Sequence, residues 1–522
     1  MNTPSAPVGC ACCPLNRRNF IAKTGAATLG ALGVISSPGR LAAAAPAGKT
    51  RIRIIYSLHS EKQNQPDWPN KGFDFKPAME RITNELAKRC KGFEFVTSQA
   101  AGEEQAKTIV AEDAAAGGID GYLVYQMNCW NRVVQTVAGA GKPVLYADFQ
   151  FGGSGGFLVY NAAFLRSQAP NVAFVASSRV KDLANAVSCF AAAKSGGSAA
   201  EFVTDVAEAR LRGTPRARKL AGKRDPVRCI STEECLARLK ETRILAVRGQ
   251  ESGPAGEVAG IKIEHVPFAE LNEAWKNADR EQTRAVADTW QKTAKKIEGV
   301  SRETLETSAA MYLAEKALLQ KHGAMGITVN CLGGFYGGHI HAYPCLGFHQ
   351  LNNEGLIGGC ECDTRSAATM AIGTILTQGR PGYISDPVID TAKRQIIYAH
   401  CVAANKAFGP DGQTNPFEIL THSEDRQGAS VRSLLPVGYM TTTLEFEAGR
   451  KEILFHRGLA VANDPDDRAC RTKLCAEPVG DIEKLFRMWD QWGWHRVTFY
   501  GDLKEPVYGL ADALGWKVVE EA

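Results

Sequence analysis

A chain of 522 residues exceeds what one hydrophobic core holds, and roughly two to four domains is the natural division. With 44% hydrophobic, 22% charged and 8% aromatic residues, the composition is that of a globular protein and excludes disorder along the whole chain. The formal charge of +5 is mostly that of the first 45 residues, where Arg17, Arg18, Lys23 and Arg40 stand without an acid; the rest carries +1, which removes the electrostatic case for nucleic-acid binding.

The chain opens with Asn16-Arg17-Arg18-Asn19-Phe20, a weakly apolar stretch from Thr24 to Ser37, and the small-residue run Ala42 to Ala45. Charged, apolar and small-residue regions in that order read as a signal peptide over 1–45. Arg17-Arg18 with Phe20 resembles the twin-arginine export motif, which implies a periplasmic or secreted protein. The bland alternative is a chance arginine pair before a short helix. The apolar run is too short and too rich in Gly and Ala to span a membrane.

Short apolar runs then alternate with helical patterns. Arg51 to Tyr56, Glu94 to Thr97, Gly121 to Tyr125 and Pro143 to Tyr146 are predicted strands, with helices over Phe75 to Cys90 and Glu103 to Ala116 between them. This alternation predicts a first Rossmann-like α/β domain over 50–165 with a parallel sheet. Ligands bind such sheets at strand C-terminal ends. Here those ends carry Gln126 and Asn128, candidate substrate contacts, and the run Gly152-Gly153-Ser154-Gly155-Gly156. No Lys-Ser/Thr follows the glycines, so a turn near a cleft is favoured over a phosphate loop.

A second Rossmann-like α/β domain is predicted over 166–330, from Val172-Ala173-Phe174-Val175 to the strand Gly326 to Asn330. Its basic stretch between Lys194 and Lys240 reads as a helical insertion or surface segment with a solvated face. From Cys331 the texture changes to frequent Gly and Pro, with alternating runs such as Thr441-Thr442-Thr443-Leu444-Glu445-Phe446. The region 331–522 is therefore expected to be a β-rich, barrel-like third domain.

Of 15 cysteines, three lie in the leader. Cys229/Cys235 and Cys470/Cys475 suit either local disulfides or buried thiols, and Cys360-x-Cys362 lacks the second pair of a structural zinc site. Seven of the ten histidines follow residue 338, in a region that also holds Glu361, Asp363 and Asp386. Histidines and carboxylates gathered from distant segments suit a divalent cation with positions left open to a substrate's oxygens. For any single histidine, a surface or satisfied core role is the simpler reading.

The stretch Pro344-Cys345-Leu346-Gly347-Phe348-His349, followed by Glu361-Cys362-Asp363, resembles the L-arabinose and L-fucose isomerases. So do Ile396-Ile397-Tyr398-Ala399-His400 and Trp494-His495-Arg496-Val497. The resemblance is strongest from Gly326 onward. It implies a metal-dependent aldose–ketose isomerase that uses Mn²⁺ and transfers a proton through an enediol, assembled as a homo-oligomer, with a small carbohydrate as substrate. It makes His400 and His495 metal ligands, Asp386 the third ligand or the base, and Glu361 and Asp363 further candidate acids. His422 is a candidate ligand or substrate contact. The pattern departs where acids are expected: Asn330 and Cys331 stand at one such place and Ser385 at another. Two alternatives remain, an exported sugar-binding protein without catalysis and a metal-dependent lyase or epimerase on the same scaffold.

Overall fold

The computed structural model describes residues 48–522; the leader expected over 1–45 lies outside the described residues. The first unit is a five-stranded parallel sheet built from β1 (Thr50–Ser57), β2 (Phe93–Ala100), β3 (Gly121–Gln126), β4 (Val144–Asp148) and β5 (Val172–Val175), in the order β2-β1-β3-β4-β5. Both faces are covered. Ile52, Ile54 and Tyr56 of β1 enter one core with Leu123, Leu145 and Val175, while Ile55 enters another with Val124, Tyr146 and Phe174. Near-continuous apolar strands are what a sheet buried on both sides requires.

The glycine run forms the start of the helix Ser154–Ser167. A Cβ on Gly153 would collide with the Gln126 carbonyl, and one on Gly155 would press on Trp494 and Cys129. The glycines thus permit close approach of helix, strand end and barrel, in keeping with a turn rather than a phosphate loop.

The second sheet holds β6 (Arg243–Val247), β7 (Gly253–Val258), β8 (Ile261–Val266), β10 (Gly326–Val329) and β11 (Ile357–Gly359), in the order β11-β10-β6-β8-β7, with only β7 antiparallel. The sheet therefore continues past residue 330 and takes in 357–359, because Gly326, Ile327 and Thr328 pair in register with Ile357, Gly358 and Gly359. The intervening strand β9 (Lys296–Glu298) leaves this unit to pair with β14 (Phe417–Leu420), itself paired with β15 (Ser430–Ser433).

The third unit is a closed six-stranded barrel. β12 (Tyr383–Asp390), β13 (Gln395–His400), β16 (Met440–Glu447), β17 (Glu452–Asn463), β18 (Thr472–Pro478) and β19 (Arg496–Tyr500) run in the order β16-β19-β12-β13-β18-β17, and β17 closes on β16. β20 (Lys517–Glu520) adds outside the ring along β17. Hydrogen bonds between strands that are not neighbours cross the lumen. Tyr398 of β13 meets Thr443 of β16 at 2.9 Å and His456 of β17 at 2.6 Å. His456 Nδ1 meets Glu521 at 2.9 Å, and Arg496 donates to Glu521 at 2.7 Å.

Two connections fix the barrel to the rest. The helix Thr364–Leu376 is buried at every residue from Ser366 to Leu376, lodged between the second sheet and the barrel. Its side chains are mostly apolar or small, and the buried Ser366, Thr369 and Thr374 hydroxyls are hydrogen-bonded to Glu445 and the Arg380 carbonyl, which lets it be enclosed on every side. The basic stretch after residue 194 supplies the helix Ala199–Gly213, closed by a Ser198/Glu201 capping box, and then crosses the barrel. Arg218 pairs with Glu477 at 2.6 Å, and Asp225 takes a two-pronged bond from Arg380 at 2.6 and 2.7 Å. Part of the expected solvated face is thus a strap. All twelve cysteines among the described residues are free thiols, including Cys229, Cys235, Cys470 and Cys475. Among the described residues no helix is long and apolar enough to cross a membrane.

Candidate metal centre

Antiparallel register brings three distant residues to one mouth of the barrel. Asp386 on β12 lies opposite Ala399, so His400 at the end of β13 is beside it. Ser385 lies opposite Arg496, so His495, just before β19, reaches the same lip. The fourth residue, Glu361, comes from the turn that follows β11 at the C-terminal edge of the second sheet. One ligand atom from each of Glu361, Asp386, His400 and His495 fits within 4.8 Å of the others.

The individual approaches are close. His495 Nε2 is 3.1 Å from Asp386 Oδ1 and 3.6 Å from Glu361 Oε2. His400 Nε2 is 3.9 Å from both Glu361 Oε1 and Asp386 Oδ2. None of these is aligned as a hydrogen bond: Asp386 Oδ1, His400 Nε2 and His495 Nε2 are buried without a hydrogen-bond partner. Buried polar atoms left in this way are costly, and three converging on one point fit a bound cation. Two imidazoles with two carboxylates are the donor set of a borderline-to-hard divalent ion.

The rings are held from behind. His495 Nδ1 meets Asp363 Oδ2 at 2.9 Å, which turns Nε2 toward the other three groups. The Cys401 amide donates to His400 Nδ1 at 2.9 Å. Asp363 also caps the helix Thr364–Leu376, accepting from the Arg365 and Ser366 amides at 3.1 and 3.0 Å. The Ser366 hydroxyl bridges Asp363 to Glu445. Burial works against the Asp363 charge, but His495, Arg365 and the Ser366 amide outweigh it and hold the carboxyl below its usual range. Burial raises Asp386, an effect that His495 and His400 oppose without cancelling. Burial also disfavours the charged ring of His495; Asp386, Asp363 and Glu361 overcome this and raise it well above the ordinary histidine value.

Glu361 sits in strained backbone. Glu361 and Cys362 have φ of 61° and 53°, left-handed for non-glycine residues. The Cys362 amide donates to the Val329 carbonyl at 2.9 Å, which anchors the turn to β10. Strain of this kind gathers at functional sites.

The other residues singled out from the sequence lie elsewhere. Asp363 stands one layer behind the group, in contact with it through His495. His422 is outside it, stacked on Tyr343 at 4.9 Å and 3.5 Å from Asp425. Gln126 and Asn128 are fully buried and spent on internal bonds. Gln126 Oε1 accepts from Tyr146 at 2.8 Å; Asn128 accepts from the His59 amide and donates to the Trp68 carbonyl at 2.8 Å. Asn330 caps the short helix Cys331–Tyr336, and Ser385 donates to the Arg496 carbonyl at 3.2 Å.

Two acids escaped notice in the sequence. Glu445 is fully buried, and its carboxyl is pushed up to about 7 chiefly by that burial. Its signal was an acid at an inward position of an alternating strand. Glu424 accepts from Tyr336 at 3.3 Å; enclosure by protein raises it to about 8, His422 opposing and Asp67 and Glu361 adding to the shift. The Lys71 amide donates to the Glu424 carbonyl at 2.6 Å, so the first unit borders the same region.

No family model matches the chain. It is similar to a sulfoquinovose isomerase of Clostridium sp. (strain MSTE9), 25% identical over 266 residues, which cover 49% of this chain and 57% of that protein. A sulfoquinovose isomerase of Priestia megaterium (strain ATCC 12872 / QMB1551) is 25% identical over 155 residues, 28% of this chain and 34% of its own length. The chain thus spans between about a third and somewhat over half of the length of these relatives. Among solved structures, a sugar ABC transporter from Yersinia enterocolitica subsp. enterocolitica 8081 aligns at 13% identity over 57% of this chain and 69% of its own, with a TM-score of 0.17. A solute-binding protein from Bacillus halodurans C-125 with bound myo-inositol aligns at 15% identity over 64% and 91%, with a TM-score of 0.19. Superpositions this poor bear no weight. What the chain resembles in sequence, over part of its length, is a set of curated sugar isomerases.

Proposed function

We propose that the protein is a metal-dependent sugar isomerase that interconverts an aldose and a ketose by proton transfer through an enediol. The observation that carries this reading is the convergence of Glu361, Asp386, His400 and His495 on one point, where Asp386 Oδ1, His400 Nε2 and His495 Nε2 are buried without a hydrogen-bond partner. The similarity to sulfoquinovose isomerases supports the reaction class and makes a sulfonated hexose the first substrate to test.

His400, His495, Asp386 and Glu361 would hold the ion, for which Mn²⁺ is the proposed identity. Such an ion polarises the sugar carbonyl and the neighbouring hydroxyl and acidifies the C–H between them. Asp386 and Glu361 reach the group from opposite supports, barrel and sheet. One carboxylate takes the proton from the substrate carbon, and the other serves the oxygen that gains or loses a proton in step with it. Asp363 keeps His495 in one tautomer and orientation. Glu424, whose carboxyl is raised by enclosure beside Tyr336, would hold a proton toward a sugar hydroxyl. Export by the twin-arginine route and a homo-oligomeric state are part of the proposal.

The test is an NMR screen of aldoses, sulfonated hexoses included, in D₂O with added Mn²⁺. Deuterium entering C2 is the expected result, lost in H400A and H495A. Sugar binding without deuterium exchange would favour the non-catalytic binding protein, and exchange with inversion or loss of a group would favour the epimerase or lyase.

A further inference from the structure

The chemistry above leaves unused several buried cysteines around the centre: Cys331, Cys360, Cys362, Cys401 and Cys470. One pair is already in contact. The Cys331 and Cys360 sulfurs lie 3.2 Å apart, about 1.2 Å longer than a disulfide. The sheet sets this pair. β10 and β11 are parallel neighbours with Thr328 opposite Gly359, so the two chains leave the sheet side by side and the two cysteines follow at once. The Thr328 hydroxyl donates to the Cys360 carbonyl at 3.3 Å, holding the exit of β11 in place.

The pair is also tied to Glu361. Cys360 is the covalent neighbour of Glu361, and Cys331 reaches the same turn through its contact with Cys360. Glu361, directly after Cys360, and Cys362 are both held in left-handed backbone, so movement of Cys360 is passed to a turn with little freedom to absorb it. The Glu361 side chain is 12% exposed, so solvent reaches within one residue of the thiols.

We infer that Cys331 and Cys360 form a redox-active dithiol, a modification site for peroxide oxidants, and that closing it to a disulfide shifts the turn bearing Glu361. One thiol attacks hydrogen peroxide, breaking the O–O bond and releasing water as it becomes a sulfenic acid. The other thiol displaces its hydroxyl as a second water, forming the S–S bond. Two thiols lose two electrons and two protons, and one peroxide is reduced to two waters. The effect on cation affinity rests on the proposed metal site; the disulfide itself does not.

The test uses the full chain, stripped of metal and treated with equimolar hydrogen peroxide. Mass spectrometry of an unreduced digest is expected to show the peptides of Cys331 and Cys360 joined, with two hydrogens lost and reversal by dithiothreitol. The joined species should be absent from C331S and C360S. Amide exchange over 360–363 should slow in the oxidised form, and Mn²⁺ affinity by calorimetry should fall about tenfold and return on reduction. No joined peptide, or Cys331 joined elsewhere, overturns the site. A joined peptide with unchanged exchange over 360–363 and unchanged Mn²⁺ affinity overturns the link to Glu361. If the reduced protein takes up no Mn²⁺, the function proposed above fails, while the mass and exchange results still decide the pair.

Discussion

Asp363 serves two structures at once, and the two roles can be separated. Asparagine caps a helix about as well as aspartate, but an amide is a weaker partner for an imidazole N–H than a carboxylate. D363N is therefore expected to lower cation affinity about ten- to hundredfold while changing unfolding free energy by less than about 1 kcal/mol. D363A should lose both, and calorimetry beside urea unfolding separates the cases. His349 gives a second test at this scale. Its Nδ1 donates to the Ala403 carbonyl at 2.6 Å and its Nε2 accepts from Asn353 at 3.1 Å, and burial lowers its pKa to about 4. The folded value lies below the unfolded one near 6.5, so the unfolded chain binds the proton first as pH falls. Its contribution is present above pH 6.5 and is lost progressively down to about pH 4, a total of roughly 3 kcal/mol. Urea unfolding of H349Q between pH 7 and 5 should show a flatter dependence than the wild type.

Among the elements, the barrel wall and the helix beneath it do most to place the centre. β12, β13 and β19 deliver Asp386, His400 and His495 to one lip only because their antiparallel register is fixed, and the lumen network helps fix it. Arg496 and Glu521 are both fully enclosed, and Arg496 also donates to the carbonyls of His495 and Gly493 at 2.9 and 3.1 Å. R496M leaves the Glu521 charge without its main partner and should cost about 3–5 kcal/mol. It should also weaken cation binding, since His495 loses its tether. Adding E521L ought to restore part of the stability but not the affinity, as read by paired denaturation and calorimetry.

For the whole molecule, the site exists only because the second sheet and the barrel meet. Glu361 comes from the second sheet, the other three groups from the barrel, and the first unit closes in from the side, its Trp130 edge-on to Trp494 at 6.4 Å. The strap across the barrel tightens this assembly. D225N removes the carboxylate paired with the nearly enclosed Arg380, at a cost of about 3 kcal/mol. Trypsin should then cut faster between Arg216 and Arg228, seen by timed digestion, with the metal centre itself unaltered.

Much of this was legible along the chain, because it rests on local physics. Apolar runs of four to eight residues alternating with helical patterns can be little other than parallel sheets with covered faces, and both sheets are there. The alternation after residue 430 announced antiparallel strands in a barrel-like domain, and those strands do close into a ring. The residues of the centre were likewise visible as a late excess of histidine and acid. Composition could not reveal which of them share a point; the family resemblance grouped His400, His495 and Asp386 but left Glu361 among several candidate acids. Cys345-to-His349 and Gln126-to-Asn128 were as suggestive as Glu361, yet they are consumed by packing and internal hydrogen bonds. Strand register is a property of pairs: a shift of one residue on β12 would replace Asp386 with Ser385 at the lip. That register is set by contacts among segments up to about a hundred residues apart, so sequence determined the ligand types and the layered fold, and only tertiary structure decided that Glu361, Asp386, His400 and His495 face one another.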